Sequence, residues 1–133
     1  MITQLSQIKW GHIILTTLAV YALSFLTVFL VVSVYAGYLG FQARGAPDLA
    51  MIDAFANQYA PWIGAISLVI FTVLGAIWMA RRVYSSSQTH GIALGVLVGL
   101  LNMIFDGFSL ITLLTTILTI AAGWFGSQSG ARR

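Results

Sequence analysis

Two histidines, His12 and His90, and three carboxylates, Asp48, Asp53 and Asp106, are the side chains here that could carry acid–base or ligand chemistry. Imidazole is a common ligand for haem and pigment metals, so two histidines at equal depth in a membrane would offer an axial site. Each stands at the start of an apolar run rather than deep within one, and no spacing motif connects them. We read both as polar residues at helix ends and expect no cofactor and no bound metal. Catalysis is not expected either. The chain has no glutamate, neither histidine has a carboxylate close in sequence, and no set of nucleophile, base and oxyanion donors can be assembled. The absence of cysteine excludes disulfides, thiolate metal sites and thiol redox chemistry.

One further pair is Asn102 and Asp106, within the stretch "HGIALGVLVGLLNMIFDG". A carboxylate in an apolar segment is costly in lipid and is a functional candidate by default. Asp106 precedes Gly107, however, and Asp-Gly is a common turn pair. The expectation is a turn residue at the outer interface, hydrogen-bonded to Asn102. A polar contact with a partner chain and a role in moving ions or protons are the alternatives.

The elements that must position these residues follow from composition. The chain is 59% hydrophobic and only 7% charged, where soluble domains carry about 25% charged residues. Such a chain cannot cover itself with a polar surface, so lipid is its expected solvent. Uncharged stretches run from Lys9 to Arg44, Asp53 to Arg81, Arg82 to Asp106 and Asp106 to Arg132. Each exceeds the roughly 20 residues that cross a hydrocarbon core. The expected fold is an all-α integral membrane four-helix bundle, a single transmembrane domain over 1–133, with spans at 11–39, 60–80, 91–105 and 108–125. The first is longer than one crossing needs and should tilt or protrude. It also far exceeds the roughly 7–15 apolar residues of an export signal, and is read as a retained anchor. The third is short and must borrow residues from its flanks.

Charge placement orients the spans. Lys9, Arg81, Arg82, Arg132 and Arg133 fall on one side of a four-span arrangement; Arg44 and all three carboxylates fall on the other. The positive-inside rule then puts both termini in the cytoplasm. Trp10, Trp62, Trp78, Trp124, Tyr38, Tyr59 and Tyr84 near span ends form the expected aromatic belt. The outer segment 45–62 is bracketed by prolines, and Asp48 is placed to cap a helix after Pro47. Its apolar residues Leu49, Ile52, Phe55, Ala56 and Tyr59 share one side, which reads as a short interfacial helix, with an ordinary loop as the alternative. The inner link 81–90 is polar. Asp106-Gly107 alone must turn the chain between the last two spans.

Advancing about 100° per residue, Gly91, Gly95, Gly99, Asn102 and Asp106 share one narrow stripe, and Thr112, Thr116, Thr119, Gly123 and Gly126 share another. Lipid tails are as apolar as leucine, so helices in a bilayer associate through close backbone approach and interhelical hydrogen bonds, which small residues permit. We expect the two stripes to meet within one chain. A contact of the third-span stripe with another subunit is the alternative, and a pore lining is a third. On the first span Thr17, Tyr21 and Ser24 share a face, and bonding back to their own carbonyls is favoured over bonds to a neighbour.

The segment from about residue 63 to 126 resembles the small four-span bacterial membrane proteins of the YrzE type. The resemblance rests on "GAIWMARR" closing span two, "HGIALGVLVGLLN" opening span three and "AAGWFG" in span four. It implies a bacterial cytoplasmic-membrane four-helix protein and carries over no functional residues. Small multidrug exporters use a membrane-embedded glutamate, which this chain lacks, and the polar pore motifs of fluoride channels are not found.

The expected function is therefore a non-catalytic membrane protein, an accessory or assembly subunit or a structural oligomer. Its expected partners are the lipid bilayer and other membrane subunits or itself. An oligomeric transporter or channel and a pigment- or haem-binding subunit are the alternatives. No basic run interleaved with aromatics exists, so nucleic acid is not an expected partner.

Overall fold

In lipid every backbone amide must find a partner within its own segment, and a helix does this at each residue. The computed structural model describes residues 9–82 and 87–131. It forms four helices: α1 (Trp10–Ala43), α2 (Leu49–Arg82), α3 (Ser87–Asp106) and α4 (Leu110–Ala131). All four are long and apolar enough to cross a membrane, so the chain is an all-α, multi-pass protein by its architecture. Tyr84, Arg132, Arg133 and part of the polar inner link lie outside the described residues.

The helix ends have local causes. Arg44 takes a left-handed conformation (φ 50°) after α1, and the Gly45 N–H donates to Gly40 O at 3.2 Å. Asp48 caps α2, its Oδ1 accepting the Ala50 N–H at 2.9 Å. Gly107, at φ 74°, makes the turn after Asp106 that a residue with a side chain would resist. Ser109 Oγ then accepts the Thr112 N–H at 3.2 Å, while Thr112 Oγ1 accepts the Ser109 N–H at 2.8 Å. That reciprocal pair is a capping box with threonine in the place of the usual glutamate.

The separate short helix expected in 45–62 is not separate. It is the opening part of α2, which runs without a break through Pro61. Proline removes one backbone donor, yet the local preference is overridden by packing on α1: the Tyr35 and Phe55 rings stack with centroids 4.0 Å apart, and Phe55 lies 4.9 Å from Tyr59. The third helix starts at Ser87, borrowing the residues that its short run lacked, and the fourth continues past residue 125 to Ala131.

Successive helices are antiparallel. α4 packs along both α2 and α3, while α1 packs on α2 and α3 and has no close backbone approach to α4. Lys9 at the start of α1 meets His90 near the start of α3. The 34 residues of α1 and of α2 against the 20 of α3 correspond, at 1.5 Å each, to a difference of about 20 Å. That excess stands at the end bearing Arg44 and Asp48, beyond the α3–α4 turn.

The interior is inverted relative to a soluble domain. Among the described residues, buried polar side chains such as Thr16, Thr72, Thr119, Asn102 and Ser127 are as prominent as the apolar core of Ile13, Val20, Leu68, Met79, Leu94 and Val98. Large apolar side chains cover the outside, with Phe25, Val34, Ile104 and Phe105 all more than two-thirds exposed. Water would not tolerate so continuous a surface, whereas acyl chains do. Gly37 on the outer face of α1 has nothing within 4 Å of where a Cβ would stand. Gly37→Ala is accordingly expected to stabilise the chain by about 0.4–1 kcal/mol, read as a raised midpoint in reversible detergent unfolding.

Candidate functional site: the small-residue seam

The backbones of α3 and α4 come together along a line where neither helix has room for a side chain. A Cβ built on Gly91 would strike Gly123 O and sit 2.5 Å from Ser127 Cβ. On Gly95 it would strike Thr119 O and approach Ile120 Cα to 2.7 Å; on Gly99 it would come 2.6 Å from Thr116 Cγ2. Gly123 returns the contact, since its Cβ would strike Gly91 O. The α3 stripe therefore meets α4 within one chain.

Close approach brings donors to carbonyls. Thr116 Oγ1 lies 3.2 Å from Gly99 O, and Thr119 Oγ1 lies 3.2 Å from Gly95 O. Each hydroxyl also reaches its own helix, Thr116 to Thr112 O at 2.8 Å and Thr119 to Thr116 O at 2.9 Å, so one proton is shared between two acceptors. The shorter arm is the intrahelical one, and the interhelical arm is the weaker. The glycines permit this geometry because their carbonyls are not shielded by a neighbouring side chain.

Two residues of the expected α4 stripe have other neighbours. Gly126 faces α2, where its Cβ would come 2.6 Å from Val73 O and 2.9 Å from Ala76 Cβ. Thr112 is buried, but its hydroxyl works in the turn, 2.9 Å from Gly107 O. The stripe is about 80° wide on a helical wheel, and α4 lies between two helices, so its edges fall to different partners. Sequence reasoning also missed Gly130, which faces Ala80 Cβ and Ile77 O, both at 2.7 Å. The signal was present as Gly126 and Gly130 four apart, opposite Ala76 and Ala80 four apart on a parallel helix.

The polar candidates separate. Asn102 is 3% exposed inside the bundle, while Asp106 is exposed at the last position of α3. The expected hydrogen bond between them is not formed: one side chain stays in the interior and the other reaches the end of the helix, where its charge can be solvated. On α1 the three residues sharing a face behave differently. Thr17 bonds back to Ile13 O at 2.8 Å, Tyr21 Oη donates across to Val98 O at 2.8 Å, and the buried Ser24 Oγ has no partner among the described residues. Tyr21→Phe is expected to lower the free energy of unfolding by about 0.5–1.5 kcal/mol, measured in reversible detergent titrations against wild type.

His12 is exposed. His90 is 1% exposed, and its Nε2 accepts the Lys9 backbone N–H at 3.1 Å, so one of its two ring nitrogens is engaged. No group of three or more His, Cys, Asp or Glu side chains able to hold a metal ion occurs among the described residues. No family model, curated protein or solved structure matches the chain. What the seam can do chemically is fix two helices at close range; its hydroxyls are engaged with carbonyls, and no base stands beside them.

Proposed function

We propose that this chain is a non-catalytic protein of the bacterial cytoplasmic membrane, a structural or assembly subunit that associates with other membrane subunits or with copies of itself. The observation that carries the reading is how its polar interior is used. Apart from Ser24, the buried threonine and serine hydroxyls described there are bonded to backbone carbonyls, of their own helix or the next. Groups committed in this way hold helices and leave no reactive constellation. The glycine seam joins α3 to α4 inside the chain, so association with partners falls to other surfaces. The α1–α2 extension supplies one, with Val34, Phe41 and Leu49 each more than 70% exposed.

In this reading the end bearing Lys9, Arg81 and Arg82 faces the cytoplasm together with both termini, and Arg44, Asp48, Asp53 and Asp106 face outward. The opening part of α2 lies near the outer headgroups, with Asp53 and Asn57 toward water. The resemblance to YrzE-type proteins supports the same placement. Extraction in mild detergent followed by mass spectrometry of co-purifying chains tests the proposal. A reproducible membrane partner or a homo-oligomer is expected, and a solitary monomer at native expression would overturn it.

One observation favours a second reading, a small oligomeric transporter or channel. Asn102 and Ser24 are buried polar side chains, and Ser24 Oγ has no hydrogen-bond partner among the described residues. Solute flux in liposomes that is lost with Asn102→Leu or Asp106→Asn would establish that reading in place of the first.

A further inference from the structure

We propose that the C-terminal end of α2 is a binding site for an anionic phospholipid, Arg82 holding its phosphate and the helix face below holding an acyl chain. The inference rests on the membrane-spanning reading and needs no protein partner, so a chain found without partners would leave it standing. α2 ends in Arg81 and Arg82, both exposed. The Arg82 guanidinium lies over the Trp78 ring, 4.5 Å from its centroid. A guanidinium stacked on an aromatic ring is held by its face and keeps its N–H donors along its edge. Those donors match a pair of phosphate oxygens, a fit that a lysine ammonium does not offer. Trp78 is itself 41% exposed, and the headgroup level is the depth that an indole prefers.

The same face continues into the bilayer. Residues four apart are neighbours on a helix surface, and Leu74 and Ile70 follow Trp78 at that spacing, 54% and 52% exposed. From Trp78 to Ile70 the strip runs about 12 Å at 1.5 Å per residue. That fits within one leaflet of a hydrocarbon core about 30 Å thick. Charge, indole and aliphatic side chains thus succeed one another as phosphate, glycerol and acyl chain do in a phospholipid. The sign of the headgroup follows from where the charges sit. Arg81 adjoins Arg82 and Lys9 stands at the same end of the bundle, whereas the three aspartates, the only acidic side chains of the chain, lie at the opposite end. A zwitterionic headgroup brings an ammonium into this positive field, and an anionic one brings the phosphate without it.

Native mass spectrometry of the whole protein, released from nanodiscs of equimolar phosphatidylglycerol and phosphatidylcholine, reports which lipids stay bound. The unsubstituted chain should retain phosphatidylglycerol in preference. Arg82→Gln should weaken that preference about fivefold, the worth of one basic side chain at a membrane surface. Trp78→Leu leaves the charge but removes the ring that positions it, and should weaken the preference as well. Arg44→Gln makes the same change in net charge at the opposite end and should leave the preference as it was. Equal retention of the two lipids by the unsubstituted chain would overturn the site, whether or not any variant folds. An equal loss in Arg44→Gln would also overturn it, by reducing it to attraction by net charge. Added inorganic phosphate separates the two sources of the anion: phosphatidylglycerol that stays bound supports the acyl strip, and its displacement would overturn the lipid in favour of a free phosphate.

Discussion

Gly95→Leu is expected to part α4 from α3 and to be strongly destabilising. The obstacle to the new side chain is backbone, Thr119 O and Ile120 Cα, rather than the movable end of a neighbour. Rotamer changes cannot relieve it, so the helices must separate. Separation breaks the contacts of Gly91 and Gly99 on the same line and the interhelical arms from Thr116 and Thr119. Overpacking in a well-filled core costs about 1–3 kcal/mol, and a rigid obstacle places this site at or above the upper figure. Reversible unfolding in mixed detergent micelles, followed by circular dichroism and tryptophan fluorescence, gives the number. Gly37→Ala on the open face serves as the control that separates crowding from helix propensity. A Gly95→Leu protein as stable as wild type would mean that α3 and α4 do not approach as described.

The double substitution Gly126→Leu/Gly130→Leu is the second large effect, and it acts on a different interface. Both glycines face α2, against Val73, Ala76, Ile77 and Ala80. Loss of this contact should free the C-terminal part of α2 from α4 while the α3–α4 pair, joined by its turn and seam, persists. Two overpacked positions on one contact line are coupled, so their effects will not add. The expected loss is about 2–4 kcal/mol in the same unfolding assay, from one to two overpacking costs. Cysteines introduced at exposed Trp78 and Ser129 test the selectivity, because their cross-linking should fall in the double variant. Equal loosening of the α3–α4 pair would show that α4 docks on both neighbours as one unit.

The expectation of four membrane-crossing helices came from features that any local window contains. Charge punctuation, apolar run length and the Asp-Gly turn are properties of contiguous residues, and in lipid the helix is the only open-chain solution for their backbones. Stripe geometry was legible for the same reason: the α-helical repeat alone brings Gly91, Gly95 and Gly99 into line. Asp48 as a cap was a local signal too, and its Oδ1 accepts the Ala50 N–H.

What sequence left open depended on which helix lies beside which. A small residue advertises that something can come close, but its partner is set by the arrangement of all four helices. Gly126 and Gly130 lie on nearly the same strip as Gly123, yet they meet α2 while Gly123 meets α3, because α4 sits between the two. Pro61 reads locally as a boundary; only the Tyr35–Phe55–Tyr59 stack across the α1–α2 pair explains a helix that continues through it. His90 reads locally as a polar residue at a helix start, and nothing near it in the chain names Lys9 as its donor. Run length and periodicity are written into neighbouring residues, whereas contact between distant ones follows from the packing of whole helices and emerges with the assembled bundle.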